Sequence, residues 1–162
     1  MRTMNEDLDN NNCFYFSLSI AFRSVNRVME HTLKKVGLTP VQFLALKGLY
    51  DRDGMTIKEL SEMLVQDSTS ITRLVDRLEK AGLVIRKTDS NDKRSINVFL
   101  SEKAKSYAPK AKKIWRRVNR LLERNFQEQD LIGFFNVMEK MRGLSYLKEN
   151  ANKKIGEFDG RN

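Results

Sequence analysis

The sequence predicts a mainly α-helical fold carrying one small β-hairpin, and three observations carry that expectation. Only two prolines and eight glycines are spread over 162 residues, so few positions interrupt helix. Through most of the chain apolar residues recur at spacings of three and four, the period of a buried helical face. One stretch differs: Leu83 to Thr88 and Ser95 to Leu100 are β-prone runs, with Ile96, Val98 and Leu100 on one face, and the polar turn Asp89-Ser90-Asn91-Asp92-Lys93 lies between them.

The first helix is expected from about Asn12 to Val36. It carries Phe14, Phe16, Leu18, Ile20, Ala21, Val25, Val28, Met29 and Leu33, more apolar surface than one narrow stripe holds, so it should pack on two sides. His31 in its middle reads as structural or solvent-facing. Thr39-Pro40-Val41-Gln42 then starts a second helix that runs to about Tyr50, with Thr39 as N-cap, Pro40 where its missing N–H costs nothing, and Gln42 closing a capping box. Asp51-Arg52-Asp53-Gly54 breaks the pattern. Thr56-Ile57-Lys58-Glu59 repeats the capping box and opens a short third helix of roughly ten residues through Leu60, Met63 and Leu64. Asp67-Ser68-Thr69-Ser70 is a cluster of capping residues, and Ile71, Leu74, Val75 and Leu78 follow on one helical face. Gly82 supplies a left-handed stop.

Beyond the hairpin, Ser101 caps a long basic helix that Pro109 should bend or restart. After a break near Asn125-Phe126-Gln127, a last helix carries Leu131, Phe134, Phe135, Met138, Met141 and Leu144. The ends, residues 1–9 and 150–162, are polar and expected to be flexible.

Composition narrows the function classes. Lys and Arg number 30 against 21 Asp and Glu, a net charge of +9, which favours polyanionic partners such as nucleic acid. There is no run of 18 apolar residues and no basic leader followed by an apolar segment, so neither a membrane span nor a signal peptide is read and a cytoplasmic protein is expected. One cysteine and one histidine cannot form a disulfide or an ordinary zinc cluster. With no phosphate loop, no dinucleotide fingerprint and no Cys/His nucleophile pair, neither an enzyme nor a cofactor is expected.

A short helix, a tight turn, a polar-faced helix ending at glycine and then a hairpin make the order of a winged helix-turn-helix, whose second helix suits the major groove of double-stranded DNA. Side chains about 100° apart put Thr69, Arg73, Asp76 and Lys80 opposite the apolar stripe, with Ser70, Thr72 and Arg77 on the flanks. Polar residues on any surface helix look similar, and it is the hairpin behind this one that favours base reading. Charge alone does not locate the interface. Residues 56–100 hold eight basic and seven acidic side chains, whereas residues 101–124 hold nine and two, so the basic excess lies on the later helix and fits either a solvated face or flanking phosphates. Placement, not number, singles out Arg73, Arg77, Arg86, Lys87, Lys93 and Arg94 as phosphate and groove candidates.

The run from Ser70 to Val84, Ser-Ile-Thr-Arg-Leu-Val-Asp-Arg-Leu-Glu-Lys-Ala-Gly-Leu-Val, together with Asp92-Lys93-Arg94-Ser95 and the alternating Val98, Leu100 and Ser101, resembles the recognition helix and wing of the MarR (multiple antibiotic resistance regulator) family. With weaker similarity outside this core, the resemblance covers roughly residues 10 to 148. It implies a winged helix-turn-helix over 37–100 and interlocked dimerisation helices over 10–36 and 101–148, setting a homodimer on a pseudo-palindromic operator. Residue by residue it implies that Ser68, Thr69, Ser70, Thr72 and Arg73 read or approach bases, that Arg94 enters the minor groove, and that Asp92 braces Arg94. It also implies an effector pocket between the DNA-reading and dimerisation parts, although Trp115 and Tyr107 read first as core residues. The segment around Cys13, Leu8-Asp9-Asn10-Asn11-Asn12-Cys13-Phe14, is similar to that around the peroxide-sensing cysteine of organic hydroperoxide regulators in the family. Asp9 or one of the asparagines would cap the helix and put Cys13 in or near its first turn, which makes it a possible redox site. Against that, Ser17 and Arg27 stand where those sensors place tyrosines. A small-molecule effector or an oxidant is thus the expected regulator, and a winged-helix protein-interaction module without specific DNA binding is the competing reading.

Overall fold

The computed structural model describes residues 13–88 and 95–145. Helix α1 spans Phe14–Lys34, α2 Pro40–Asp51, α3 Ile57–Leu64, α4 Ser68–Lys80, α5 Glu102–Ser106, α6 Ala108–Glu123 and α7 Glu128–Ser145, with strands β1 Met55–Thr56, β2 Val84–Thr88 and β3 Ile96–Leu100. The fold is therefore mainly helical with a small antiparallel sheet. The sheet has three strands in the order β1-β3-β2, one more than the hairpin read from sequence. Strand β1 pairs Met55 with Val98 and Thr56 with Asn97, while β2 and β3 pair from Val84↔Leu100 to Thr88↔Ile96.

Local chemistry starts these helices where the sequence places them. Thr39 with Gln42 and Thr56 with Glu59 form reciprocal capping boxes, and Ser101 caps α5 by accepting from the Ala104 N–H. Gly82 takes a φ of +68°, the left-handed stop after α4. Helix α5 ends at Ser106 with Tyr107 as its C-cap, and α6 begins at Ala108, so the restart falls just before Pro109. Val65, at the end of α3, is the one described non-glycine residue with positive φ, +52°. Its exposure spares it packing clashes, and the turn closes with the Gln66 N–H donating to the Ser61 carbonyl.

The chain falls into two compact units, Met1–Val118 and Asn119–Asn162, with the division inside α6. In the first, Ile71, Leu74, Val75 and Leu78 of α4 are buried against Leu46, Leu49, Leu60, Val84, Val98 and Leu100. At about 1.5–3 kcal/mol per buried aliphatic side chain, this stripe is what holds α4 to the sheet and to α2 and α3. Two bonds clasp the far end of α4: Ser101 Oγ donates to the Gly82 carbonyl at 2.7 Å, and Lys103 Nζ to the Ala81 carbonyl at 2.9 Å. Much of α1 leaves its apolar side uncovered, Phe14, Phe16, Ile20, Phe22 and Val25 being exposed, whereas Met29 and Leu33 near its end are buried. In the second unit α7 exposes Ile132, Phe134, Phe135 and Val137, with the rings of Phe134 and Phe135 edge to face at 5.5 Å.

Candidate nucleic-acid interface

Helix α4 begins at Asp67, whose carboxylate accepts from the Ser70 N–H at 2.8 Å and from the Ser70 hydroxyl at 2.7 Å. The Ser70 hydroxyl, then its backbone N–H, hold the Asp67 carboxyl below the usual carboxylate range. Across the turn, the buried Ser61 hydroxyl donates to the Ile57 carbonyl at 2.8 Å and lies 3.4 Å from Ser68 Oγ, so α3 and the start of α4 are tied by hydroxyls. The Thr72 hydroxyl donates back to the Ser68 carbonyl at 2.8 Å.

With the apolar stripe turned inward, Ser68, Thr69, Ser70, Thr72, Arg73 and Arg77 all stand exposed. Arg73 and Arg77 have no hydrogen bond or ion pair among the described residues, so their guanidinium donors are free for an external acceptor. This is the hydrogen-bonding face the sequence predicts, minus one member. Asp76 is only half-exposed and turns to a partner on β2.

That partner is Arg86, which the sequence groups with the phosphate candidates. Its guanidinium donates to Asp76 Oδ1 at 2.6 Å, Glu79 Oε2 at 3.2 Å and the Thr72 carbonyl at 3.2 Å. Two carboxylates and a carbonyl thus accept from both terminal nitrogens of the guanidinium, and in the free protein Arg86 is engaged with α4. Nothing in its own segment announces this, because both acids lie on another element. Lys87, next along β2, is exposed with its Nζ 5.1 Å from the centre of the Phe99 ring. Asp92, Lys93 and Arg94 lie outside the described residues.

Cys13 is exposed and is itself the N-cap of α1, its Sγ accepting from the Phe16 N–H at 3.5 Å. It therefore lies next to the first turn of the helix, within what the sequence implies, while Asp9 and Asn10 to Asn12 lie outside the described residues.

Beside the winged unit, within the first compact unit, lies a cleft of about 720 Å³. Its walls include Phe43, Lys47 and Tyr50 of α2, Ala81 and Leu83 after α4, Lys103 of α5, Tyr107 between α5 and α6, and Lys110 and Trp115 of α6. Trp115 and Tyr107, read from sequence as core residues, wall this space instead. Trp115 stacks on Phe43 at 5.9 Å, with Lys47 Nζ 5.6 Å from the Trp115 ring, and Lys47 also pairs with Asp51. The Tyr50 hydroxyl donates to the Ala104 carbonyl at 2.5 Å, and burial raises its pKa. Among the described residues no group of three or more His, Cys, Asp or Glu could hold a metal ion, and no helix is long and apolar enough to cross a membrane.

Comparison with known proteins places this geometry. The MarR family model matches residues 38–96. A solved MarR transcriptional regulator from Methanosarcina mazei is 30% identical, superposes with a TM-score of 0.67, and is covered over 94% of its length by 85% of this chain. The chain belongs to the MarR family. The organic hydroperoxide resistance transcriptional regulator of Bacillus subtilis is 34% identical to this MarR-family chain over 95 residues, 59% of the chain and 63% of the relative, so the match spans less than two thirds of that relative's length. A cysteine-to-serine mutant of MarR from E. coli, solved complexed with operator DNA, shares the fold at a TM-score of 0.76 and 22% identity, with 84% of this chain covering 99% of that one.

Proposed function

We propose that this MarR-family chain is a transcriptional regulator that binds double-stranded DNA as a homodimer, with α4 in the major groove and the segment between β2 and β3 as the wing beside it. The observation that carries the reading is the face of α4: a fully buried aliphatic stripe fixes its orientation, and Arg73 and Arg77, unpaired among the described residues, stand with a cluster of hydroxyls on the opposite side. Arginine, serine and threonine are the side chains that match base edges and phosphates in that groove. The fold shared with the operator-bound E. coli protein supports it. The apolar residues left exposed on α1 and on α7 favour burial against a second copy. The aromatic and cationic cleft supports regulation by a small aromatic effector.

Selection of duplexes from a random-sequence pool, followed by a salt titration of the enriched sequence, tests the DNA reading. Enrichment of a pseudo-palindrome is expected, with log affinity falling against log salt by about 0.9 per neutralised phosphate. A protein that enriches no sequence, or that is a well-folded monomer by sedimentation at low micromolar concentration, does not act in this way.

A further inference from the structure

We propose that Arg86 is a positioning residue for DNA binding: it fixes the wing strand against the recognition helix and acts on DNA through α4, not by touching it. The inference rests on the reading of α4 as the DNA-facing helix.

The bracket is built from two sides. On β2, Arg86 lies two residues from the buried Val84 and in register with the buried Val98, so its side chain leaves the strand toward α4 rather than toward solvent. On α4, Thr72, Asp76 and Glu79 lie at spacings of four and three, one face of the helix, and present a carbonyl and two carboxylates to the same guanidinium. The Arg86 N–H adds a fourth contact, to Glu79 Oε1 at 3.3 Å. A planar fork held by acceptors from three successive turns of the helix resists its rotation as well as its separation from the strand, which a single ion pair does not.

The charges give an independent reason. Carboxylates on a helix that approaches phosphates repel the ligand, and Asp76 and Glu79 are two such groups on a short helix. Their pairing with one arginine explains their presence: they hold the wing at a set angle, and the guanidinium offsets part of their field. Arg86 is thereby separated from Arg73 and Arg77, whose guanidiniums have no partner among the described residues.

The test uses the full-length protein and the duplex that the wild type enriches from a random pool, with a random-sequence duplex as reference. Asp76→Asn decides most sharply, because it removes a negative charge. Simple electrostatics predicts tighter binding, whereas the bracket predicts about tenfold weaker binding to the selected duplex, with the random duplex unaffected or bound more tightly. Arg86→Gln should show the same selective loss with an unchanged salt slope, and Arg86→Lys, which can still meet one carboxylate, should recover part of it. Thermal unfolding of each variant reports whether it folds, and if Arg86→Gln does not, Asp76→Asn carries the test. Undiminished binding by Asp76→Asn overturns the bracket. So does an equal loss on both duplexes by Arg86→Gln with a salt slope shallower by about 0.9 per protomer, the mark of a phosphate contact. If the wild type enriches no sequence, the DNA reading of α4 falls and this inference falls with it. If it does enrich one and Asp76→Asn changes nothing, the bracket alone fails.

Discussion

Replacing Arg73 by alanine separates base reading from folding, because in the free protein its guanidinium has nothing to lose. The side chain is exposed and makes no hydrogen bond or ion pair among the described residues, so truncation should change folding stability by no more than about 0.5 kcal/mol. The whole effect should then appear in DNA binding. A bidentate arginine–base contact contributes about 1–3 kcal/mol, and a homodimer on two half-sites contains the residue twice, so the operator complex should weaken by about 2–6 kcal/mol, from roughly thirtyfold to beyond ten-thousandfold. Fluorescence anisotropy on the selected duplex and on variants changed at one base pair per half-site measures both the size and the pattern. The expected pattern is relaxed discrimination at one or two symmetry-related positions, with the remaining positions read as before. A loss that is uniform across sequences and accompanied by a shallower salt slope would refute base reading and reassign Arg73 to a phosphate.

Three further outcomes follow from the geometry. Gly54 has a φ of +80°, and a Cβ there would lie 2.6 Å from the Phe99 ring, so Gly54→Ala should cost about 2–3 kcal/mol in a urea titration, and an unchanged midpoint would show that ring and turn yield freely. The Glu59 carboxyl is held below the usual range, first by the Thr56 N–H with smaller contributions from the Thr56 hydroxyl and Arg52, and Asp67 by Ser70, so their stabilisation is complete above the unfolded carboxylate pKa and is lost as pH falls through the lower folded values. The unfolding temperature should therefore fall on acidification below about pH 4.5, and less steeply in a Glu59→Gln, Asp67→Asn double variant, with equal slopes counting against the assignment. Cys13→Ser should keep α1 capped, since serine is the better acceptor, and helicity should not drop; if Cys13 carries an oxidant response, the variant should hold DNA in peroxide, and release that persists in it removes that reading.

What the sequence made legible was whatever a few neighbouring residues decide. The capping boxes at Thr39 and Thr56, the stop at Gly82 and the restart before Pro109 each depend on contacts within a turn, and the buried stripe of α4 follows from helical period alone. Strand β1 escaped because it is two residues long, overlaps the Thr56 cap, and exists only through pairing with Val98 and Asn97 some forty positions later. The contacts of Arg86 escaped for the same reason: a cation beside a wing reads as a phosphate candidate, and the carboxylates it meets belong to another element. Trp115 and Tyr107 carry an apolar signal that a packed core and a walled cleft produce equally, and only the helices around them distinguish the two.

The clasp from Ser101 and Lys103 to the carbonyls of Gly82 and Ala81, just past α4, makes one short length of chain serve two neighbours. Ala81 is both the terminal carbonyl that Lys103 holds and part of the cleft wall, and Lys103 itself faces that cleft. Were the cleft to take a ligand and α4 to take DNA, as proposed above, the two events would meet at the same few atoms. Any molecule in the cleft that lowers affinity for DNA by some factor must itself be bound less tightly, by that same factor, when the protein is on DNA. A titration of either ligand in the presence of the other thus measures a single coupling energy, and Lys103→Met, which deletes the ammonium and keeps the stem, would show how much of it passes through the clasp.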